Sequence, residues 1–204
     1  MSDKAFIDPA DVEANDAYKL LIGLVVPRPI GWIGTVDAAG VRNLAPFSFF
    51  NAVAATPPTV LFSPLTSSGS AKDTQANARE TGEFTVNIVS FDVAEAMNLT
   101  SGRYPAEVDE FQVAGLTAVP GTKVAAPIVA EAKANLECRV TQTVPVGRPP
   151  MDATLVIGEV VAFHVRADLL DGTRIDQVAL DAIGRMGGPN YTRTSGIFSM
   201  ERPT

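Results

Sequence analysis

The stretch PRPIGWIGTVDAAGVRNLAPFSFF, residues 27–50, decides how this chain folds. Pro27-Arg28-Pro29 excludes a helix, because each proline fixes φ, lacks an N–H and drives the preceding residue into extended backbone. Ile30 to Val36 then reads as a strand. Asp37-Ala38-Ala39-Gly40 is a four-residue hairpin loop, with Gly40 free to take a positive φ. Val41 to Ala54 returns as the partner strand, and Pro46 within it marks a bulge or a sheet edge.

Working outward, the same antiparallel pattern repeats. Toward the N-terminus, Asp8-Pro9 is a cap followed by proline at a first helical position, predicting a short helix over 9–22 that ends near Gly23. Beyond Pro57-Pro58, Thr59 to Ser63 reads as a buried strand. The polar run Thr66-Ser67-Ser68-Gly69-Ser70 precedes a helix, with Ser70 and Asp73 spaced as a capping box and Gly82 as the stop. Phe84 to Val89 is a strand. Asp92 to Leu99 is a second short helix, with Asp92 and Glu95 spaced as cap and N3. Residues 100–130 read as irregular.

Glu137 to Val144 alternates as a half-buried antiparallel strand does. Thr154 to Val165 is the longest β segment, bent or bulged at Gly158. Asp171-Gly172 is a turn, residues 175–183 hold one or two helical turns, and 184–203 is loop followed by an extended piece. Neither a βαβ alternation nor an internal repeat is visible. The pattern predicts a mainly β protein, a closed or partly open antiparallel barrel with short appended helices. No shift in composition marks a boundary, so residues 1–204 read as one domain with 1–25 as a helical N-terminal extension.

Composition narrows the function. The 204 residues carry 16 Lys+Arg against 23 Asp+Glu, a net charge of −7 that argues against a nucleic-acid surface. One Cys (Cys138) and one His (His164) leave no disulfide framework and no Cys/His zinc site, and no metal is expected. No G-x-S-x-G supports a hydrolase built on His164. His164, at the end of a strand, reads as structural, and Cys138 as a small core hydrophobe. Asp109-Glu110 and the acidic N-terminus read as solvated surface. Neither a secretory signal nor an apolar run of membrane-spanning length appears, so a cytoplasmic protein is expected.

Three segments carry groups suited to a ligand. Ser63, Thr66, Ser67, Ser68, Ser70, Lys72 and Thr74 surround a helix N-terminus, where free N–H groups, hydroxyls and a cation suit a phosphate. The alternative is a Ser/Thr-rich loop capping an ordinary helix. Arg42-Asn43-Leu44-Ala45-Pro46-Phe47-Ser48-Phe49-Phe50-Asn51 mixes aromatics, small residues and polar groups around a proline. Backbone freed there suits the polar edge of a flat heteroaromatic ring; the alternative is an aromatic core strand. Gly184-Arg185-Met186-Gly187-Gly188-Pro189-Asn190-Tyr191 is a glycine loop that lets backbone approach a ligand. It is not a G-x-G-x-x-G, and no Rossmann context surrounds it.

Together, and in this order, these stretches resemble the flavin reductase-like, FMN-binding split-barrel family. The resemblance rests on Pro27 to Thr35, Asn43 to Phe50, Pro57-Pro58, Lys72-Asp73-Thr74 with Asn77, and Gly82 to Asn87. Asp109-Glu110-Phe111, Leu136-Glu137-Cys138, Ile157 to Val160 and Arg185-Met186-Gly187-Gly188 with Tyr191 complete it. It runs from about Val26 to the C-terminus.

What the resemblance implies is a Greek-key split β-barrel, a homodimer with flavin near the interface. The cofactor would be FMN, or FAD, and the hydride donor NADH or NADPH. Reduced flavin would pass to a separate monooxygenase or another acceptor. Asn43, Ala45, Pro46, Phe47 and Ser48 would line the ring, with Trp32 and Thr35 beside it. Ser63, Ser68, Lys72 and Thr74 would sit at the phosphate, and Asp73 would also belong to the cofactor site. Arg28 and Arg185 would add charge for the phosphate or the nicotinamide cofactor, and Gly188 and Tyr191 would meet the substrate. No side chain is expected to act as acid or base. One departure stands out: the Gly-Asp-His that several such reductases carry before the Gly-Glu-Val strand reads Met151-Asp152-Ala153 here. That opens a second reading, a non-catalytic FMN-binding electron carrier or sensor of flavoredoxin type.

Overall fold

The computed structural model describes residues 3–66 and 72–203. The hairpin predicted from residues 27–50 forms as β1 (Gly31–Val36) and β2 (Arg42–Phe47), in register from Gly31 opposite Phe47 to Val36 opposite Arg42. Its loop is held by the Asp37 carboxylate, which accepts from the N–H of Ala39 at 2.9 Å and of Val41 at 2.7 Å. Gly40 closes it at φ 87°.

The return strand is shorter than expected. It stops at Phe47, and after Ser48-Phe49 the chain starts β3 (Phe50–Ala55), which pairs with β4 (Pro58–Phe62) rather than β1. β5 (Glu83–Ile88), β6 (Ala134–Val146) and β7 (Ala153–Val165) complete a seven-stranded antiparallel sheet of order β2-β1-β5-β6-β7-β4-β3. Its two edges, β2 and β3, are thus neighbours in the chain. Laid flat, the edges would stand about 29 Å apart, at ~4.8 Å per strand spacing. The link from Phe47 to Phe50 reaches at most about 11 Å. The sheet must therefore curl until its edges meet, and a barrel open along one seam results. Pro46, without an N–H to offer, lies on the edge strand where it does least harm.

β6 and β7 form a long hairpin with register shifts at Ile157/Gly158 and Val160/Ala162. At the predicted bulge the Phe84 ring occupies the side-chain space of Gly158; a Cβ there would lie 2.5 Å from Cε1.

Five helices of the described residues decorate the barrel, the last of them the single turn Gln177–Leu180 within the predicted 175–183. α1 (Ala14–Leu24) starts later and ends later than the 9–22 expected, because Pro9–Asp11 forms a separate 3-10 turn capped by Asp8. α2 (Asp73–Thr81) has Lys72, not Ser70, as its N-cap, and ends at Gly82 with φ 72°. Ser67, Ser68 and Ser70 lie outside the described residues. α3 (Ala94–Leu99) follows a 3-10 turn, Phe91–Val93, so Asp92 sits inside that turn and accepts from the Ser90 hydroxyl instead of capping α3. α4 (Glu110–Val113), within the segment expected to be irregular, is capped by Asp109, whose carboxylate accepts from Phe111 N–H at 3.0 Å. Arg28–Pro29, Ile183–Arg185 and Tyr191–Arg193 make a small three-stranded sheet beside the barrel. No helix of the described residues is long and apolar enough to cross a membrane.

Both faces of β1 are buried, which is why it reads as one apolar run. Ile33 faces the barrel interior with Phe47, Phe62, Phe84, Cys138 and Val156. There the rings of Phe47 and Phe62 and of Phe62 and Phe84 meet at 5.2 and 5.1 Å between centroids. Trp32 faces the other way, into a second cluster with Leu44, Met97, Phe111, Val129 and Ile183. α3 and α4 close that side.

Candidate functional site

A cleft of about 580 Å³ opens where five segments converge: α1, the end of β2, the start of α2, the stretch from α3 to Tyr104, and the Arg185–Tyr191 loop. Its size is that of a small-ligand site. Ile30, Ala45, Pro46 and Met97 give it an apolar bed. Asn43, Ser48, Thr100 and Ser101 supply polar groups at the margins, and Tyr18, Tyr104 and Tyr191 supply aromatic walls.

The sequence-predicted residues divide in three. Arg28, Asn43, Ala45, Pro46, Ser48, Lys72, Asp73, Thr74, Arg185, Gly188 and Tyr191 line this one cleft, although they come from four separate segments. Trp32, Thr35, Phe47 and Ser63 do not line it; all four are buried. The Trp32 indole is fully enclosed and donates to the Thr100 hydroxyl at 2.8 Å, so it supports the wall from behind. Phe47 and Thr35 point into the barrel, since both share the inward face of the β1–β2 hairpin with Ile33. Ser68 lies outside the described residues.

Arg28 differs most from expectation. Only 6% exposed, its guanidinium donates to the carbonyls of Ile22 (2.6 Å), Val25 (2.7 Å) and Met186 (2.9 Å), and its Nε donates to Ser48 Oγ (3.3 Å). Four of its five N–H donors are spent on the protein. Burial lowers its pKa; nearby Tyr18 raises it and Arg185 lowers it further. Arg28 is therefore a clamp joining the end of α1 to the 185–191 loop.

The accessible positive charge comes from Lys72, Arg103 and Arg185, all on the cleft. Among the described residues none of the three is paired with a carboxylate. In a chain of net charge −7, that concentration of unpaired cations suits an anionic ligand. Lys72 lies over the Phe47 ring, 5.6 Å from its centroid. Arg185 lies over the Tyr191 ring at 4.4 Å and donates to Gly188 O at 2.7 Å, so the glycine loop is shaped around it.

Several lining residues escaped the sequence reading. Asn98 to Tyr104 forms a whole wall, and Tyr104 anchors it by donating to Leu99 O at 3.0 Å. Tyr18 and Ile22 arrive on α1. Glu110, expected on the surface, is 6% exposed and lines the cleft. It accepts from Asn43 Nδ2 at 2.9 Å and from Leu44 N–H at 3.0 Å. Burial raises its pKa, those two hydrogen bonds lower it, and the charge of Asp73 raises it again. Asp109 is likewise engaged, holding Arg42 at 2.5 Å. The D-E-F run is thus a helix cap followed by a buried acid and a core aromatic. The one signal for this was Phe111, since an apolar anchor carries its neighbours inward.

His164 stands apart from the cleft. Its Nε2 meets Glu137 Oε1 at 2.5 Å, and Glu137, fully buried, also accepts the N–H groups of Thr122, Lys123 and Val124. The pair pins the 122–124 loop to the β6–β7 hairpin.

Comparison with known proteins agrees with this geometry. Residues 23–180 match the model of the flavin reductase like domain. An uncharacterised protein of Halalkalibacterium halodurans is 40% identical over 201 residues, covering 97% of this chain and 96% of that one. The crystal structure of nitrilotriacetate monooxygenase component B from Bacillus cereus superposes with a TM-score of 0.95 at 36% identity, covering 98% of this chain and all of that one. Pseudomonas fluorescens 2-nitrobenzoate 2-nitroreductase superposes with a TM-score of 0.89 at 29% identity, over 98% of this chain and 97% of that one. The matched sequence and the shared barrel make this chain a member of the flavin reductase like family, with that family's split-barrel fold.

Proposed function

We propose that this chain is an FMN-dependent oxidoreductase, a flavin reductase that draws hydride from NADH or NADPH. The observation that carries the reading is the cleft itself: an apolar bed with polar margins, ringed by Lys72, Arg103 and Arg185 in an otherwise acidic protein. A flat ring with a phosphate-bearing tail needs that combination. FAD is the alternative flavin. The likeness to a monooxygenase component B supports a separate monooxygenase as the acceptor of reduced flavin. We further read the protein as one domain over 1–204, acting as a cytoplasmic homodimer with the cleft near the interface.

A bound flavin supplies hydride acceptance and onward electron transfer. The chain's own residues bind and orient. Ala45, Pro46, Ile30 and Met97 bed the ring and keep water from one face. Lys72 holds the phosphate, Ser68 and Asp73 are further residues assigned to the cofactor, and Arg103 and Arg185 add charge along the cleft. Tyr191 and Gly188 shape the side from which the nicotinamide approaches. Trp32, Thr35, Phe47 and Ser63 support these groups from the core. No side chain serves as acid or base in this scheme.

One observation favours a second reading, a flavin-binding electron carrier. The Gly-Asp-His histidine is replaced by Ala153, and His164 is bound to Glu137 outside the cleft. Anaerobic mixing with FMN and NADH or NADPH decides. Catalytic bleaching of flavin absorbance establishes the reductase. Bound flavin that neither nicotinamide bleaches establishes the carrier, and failure to bind flavin removes both.

A further inference from the structure

Glu110 begins a chain of hydrogen bonds whose polarity is set by its charge. An ionised carboxylate only accepts. Its Oε1 takes Asn43 Nδ2 at 2.9 Å and its Oε2 takes Leu44 N–H at 3.0 Å. With the amide nitrogen turned to Glu110, Asn43 must aim Oδ1 the other way. There it accepts from Thr74 Oγ1 at 2.6 Å and from Thr35 Oγ1 at 3.4 Å. Thr35 in turn accepts from Asn77 Nδ2 at 3.3 Å. The Thr74 proton is thereby committed to the protein, so on its cleft side the hydroxyl offers only lone pairs. Glu110, Asn43 and Thr74 all line the cleft, and Asn43 and Thr74 are buried.

We propose that Glu110 is a positioning residue that acts through Asn43 to fix the Thr74 hydroxyl as an acceptor, so this wall of the cleft receives a hydrogen-bond donor on the ligand ring, not its phosphate. The proposal rests on the flavin reading and refines it: Thr74 leaves the phosphate group of residues, and Lys72 beside it stays. The relay is reversible. A protonated Glu110, or a glutamine, would offer its new donor to Asn43 while still accepting from Leu44. The Asn43 amide would turn over, its nitrogen would donate to Thr74, and the Thr74 proton would be released toward the cleft. The ligand's donor would then meet a donor.

Other charges face this point. Asp73, at the first turn of α2, disfavours the Glu110 charge, and Lys72 and Arg103 line the same cleft. Arg42 and Asp109, adjacent in the chain to Asn43 and Glu110, are paired with each other. Burial holds the Glu110 carboxyl above its ordinary range, so the reversal occurs on moderate acidification.

The test is riboflavin affinity, followed by fluorescence between pH 4 and 8; riboflavin carries no phosphate to titrate. In the unmodified chain affinity falls about fivefold to tenfold on acidification, the size of one hydrogen bond. Glu110→Gln shows the weaker affinity at every pH, with the step gone. Thr74→Val also removes the step, whereas Thr74→Ser keeps it. A step that survives in E110Q, or in T74V, overturns the proposal while leaving the flavin reading intact. Absence of riboflavin binding to the unmodified chain overturns both.

Discussion

The guanidinium of Arg28 donates to the carbonyl of Met186, 158 positions further along the chain, at 2.9 Å. The same group caps the end of α1 through Ile22 and Val25. One buried cation therefore holds two walls of the cleft, the N-terminal helix and the glycine loop. Replacing it leaves three carbonyls without their charged donor.

Arg28→Ala is expected to cost about 3 kcal/mol, as removal of a buried, fully hydrogen-bonded charge does. Arg28→Lys recovers part of this, because an ammonium has three donors and cannot fork to several carbonyls at once. Urea unfolding reads the loss. Proteolysis at α1 and the 185–191 loop, faster in both variants, reads the loosening of the walls.

Lys72→Ala is expected to weaken FMN binding tenfold or more while leaving riboflavin within about threefold, since a charge-assisted hydrogen bond to phosphate is worth about 1.5–3 kcal/mol. Equal weakening of both ligands, measured by fluorescence quenching, removes Lys72 from the phosphate site. Rising salt weakens FMN more than riboflavin for the same reason.

Glu137 gives the protein an acid limit. Burial opposes its charge, but the N–H of Thr122, His164 and the N–H groups of Lys123 and Val124 outweigh that and bring its pKa to about 2, against 4.5 for the free group. A carboxyl whose folded pKa is depressed stabilises fully above its unfolded value, and that contribution is lost as pH falls through the folded one. The window is therefore about pH 4.5 down to about 2. The stake is about 3 kcal/mol by linkage. Glu137→Gln should remove it at pH 7 and flatten the acid limb of stability measured by urea unfolding.

Gly158→Ala tests the bulge. Its Cβ would lie 2.5 Å from Cε1 and 2.7 Å from Cζ of Phe84, whose ring is fully buried against Phe62. Overpacking of that kind costs about 1–3 kcal/mol. A lowered urea midpoint with an unchanged slope is the expected result. Phe84→Leu in the same background should restore part of the loss by opening the space.

Much of the fold was legible because its signals are local. The hairpin loop at Asp37 to Gly40, the helix stop at Gly82 and the bulge at Gly158 each follow from a few residues and their allowed φ/ψ. Where boundaries moved, tertiary pairing overrode the local pattern. The run Val41 to Ala54 looks continuous, yet it breaks after Phe47 because its second half belongs to the opposite edge of the sheet. Short elements such as α4 carry too few residues for a period to show.

The site divides the same way. The amino-acid sequence determined the family, the barrel strands and the three segments that meet at the cleft, because glycines, prolines and apolar alternation constrain backbone within a few residues. Only the tertiary structure decided which charges serve the cleft and which serve the fold. Arg28 is consumed by carbonyls from both ends of the chain, and Glu110 is buried against an asparagine 67 positions away. His164 is tied to Glu137 away from the cleft. The fate of a charged side chain is set by the partners and the solvent it meets in space, and those lie at sequence separations that no local pattern encodes.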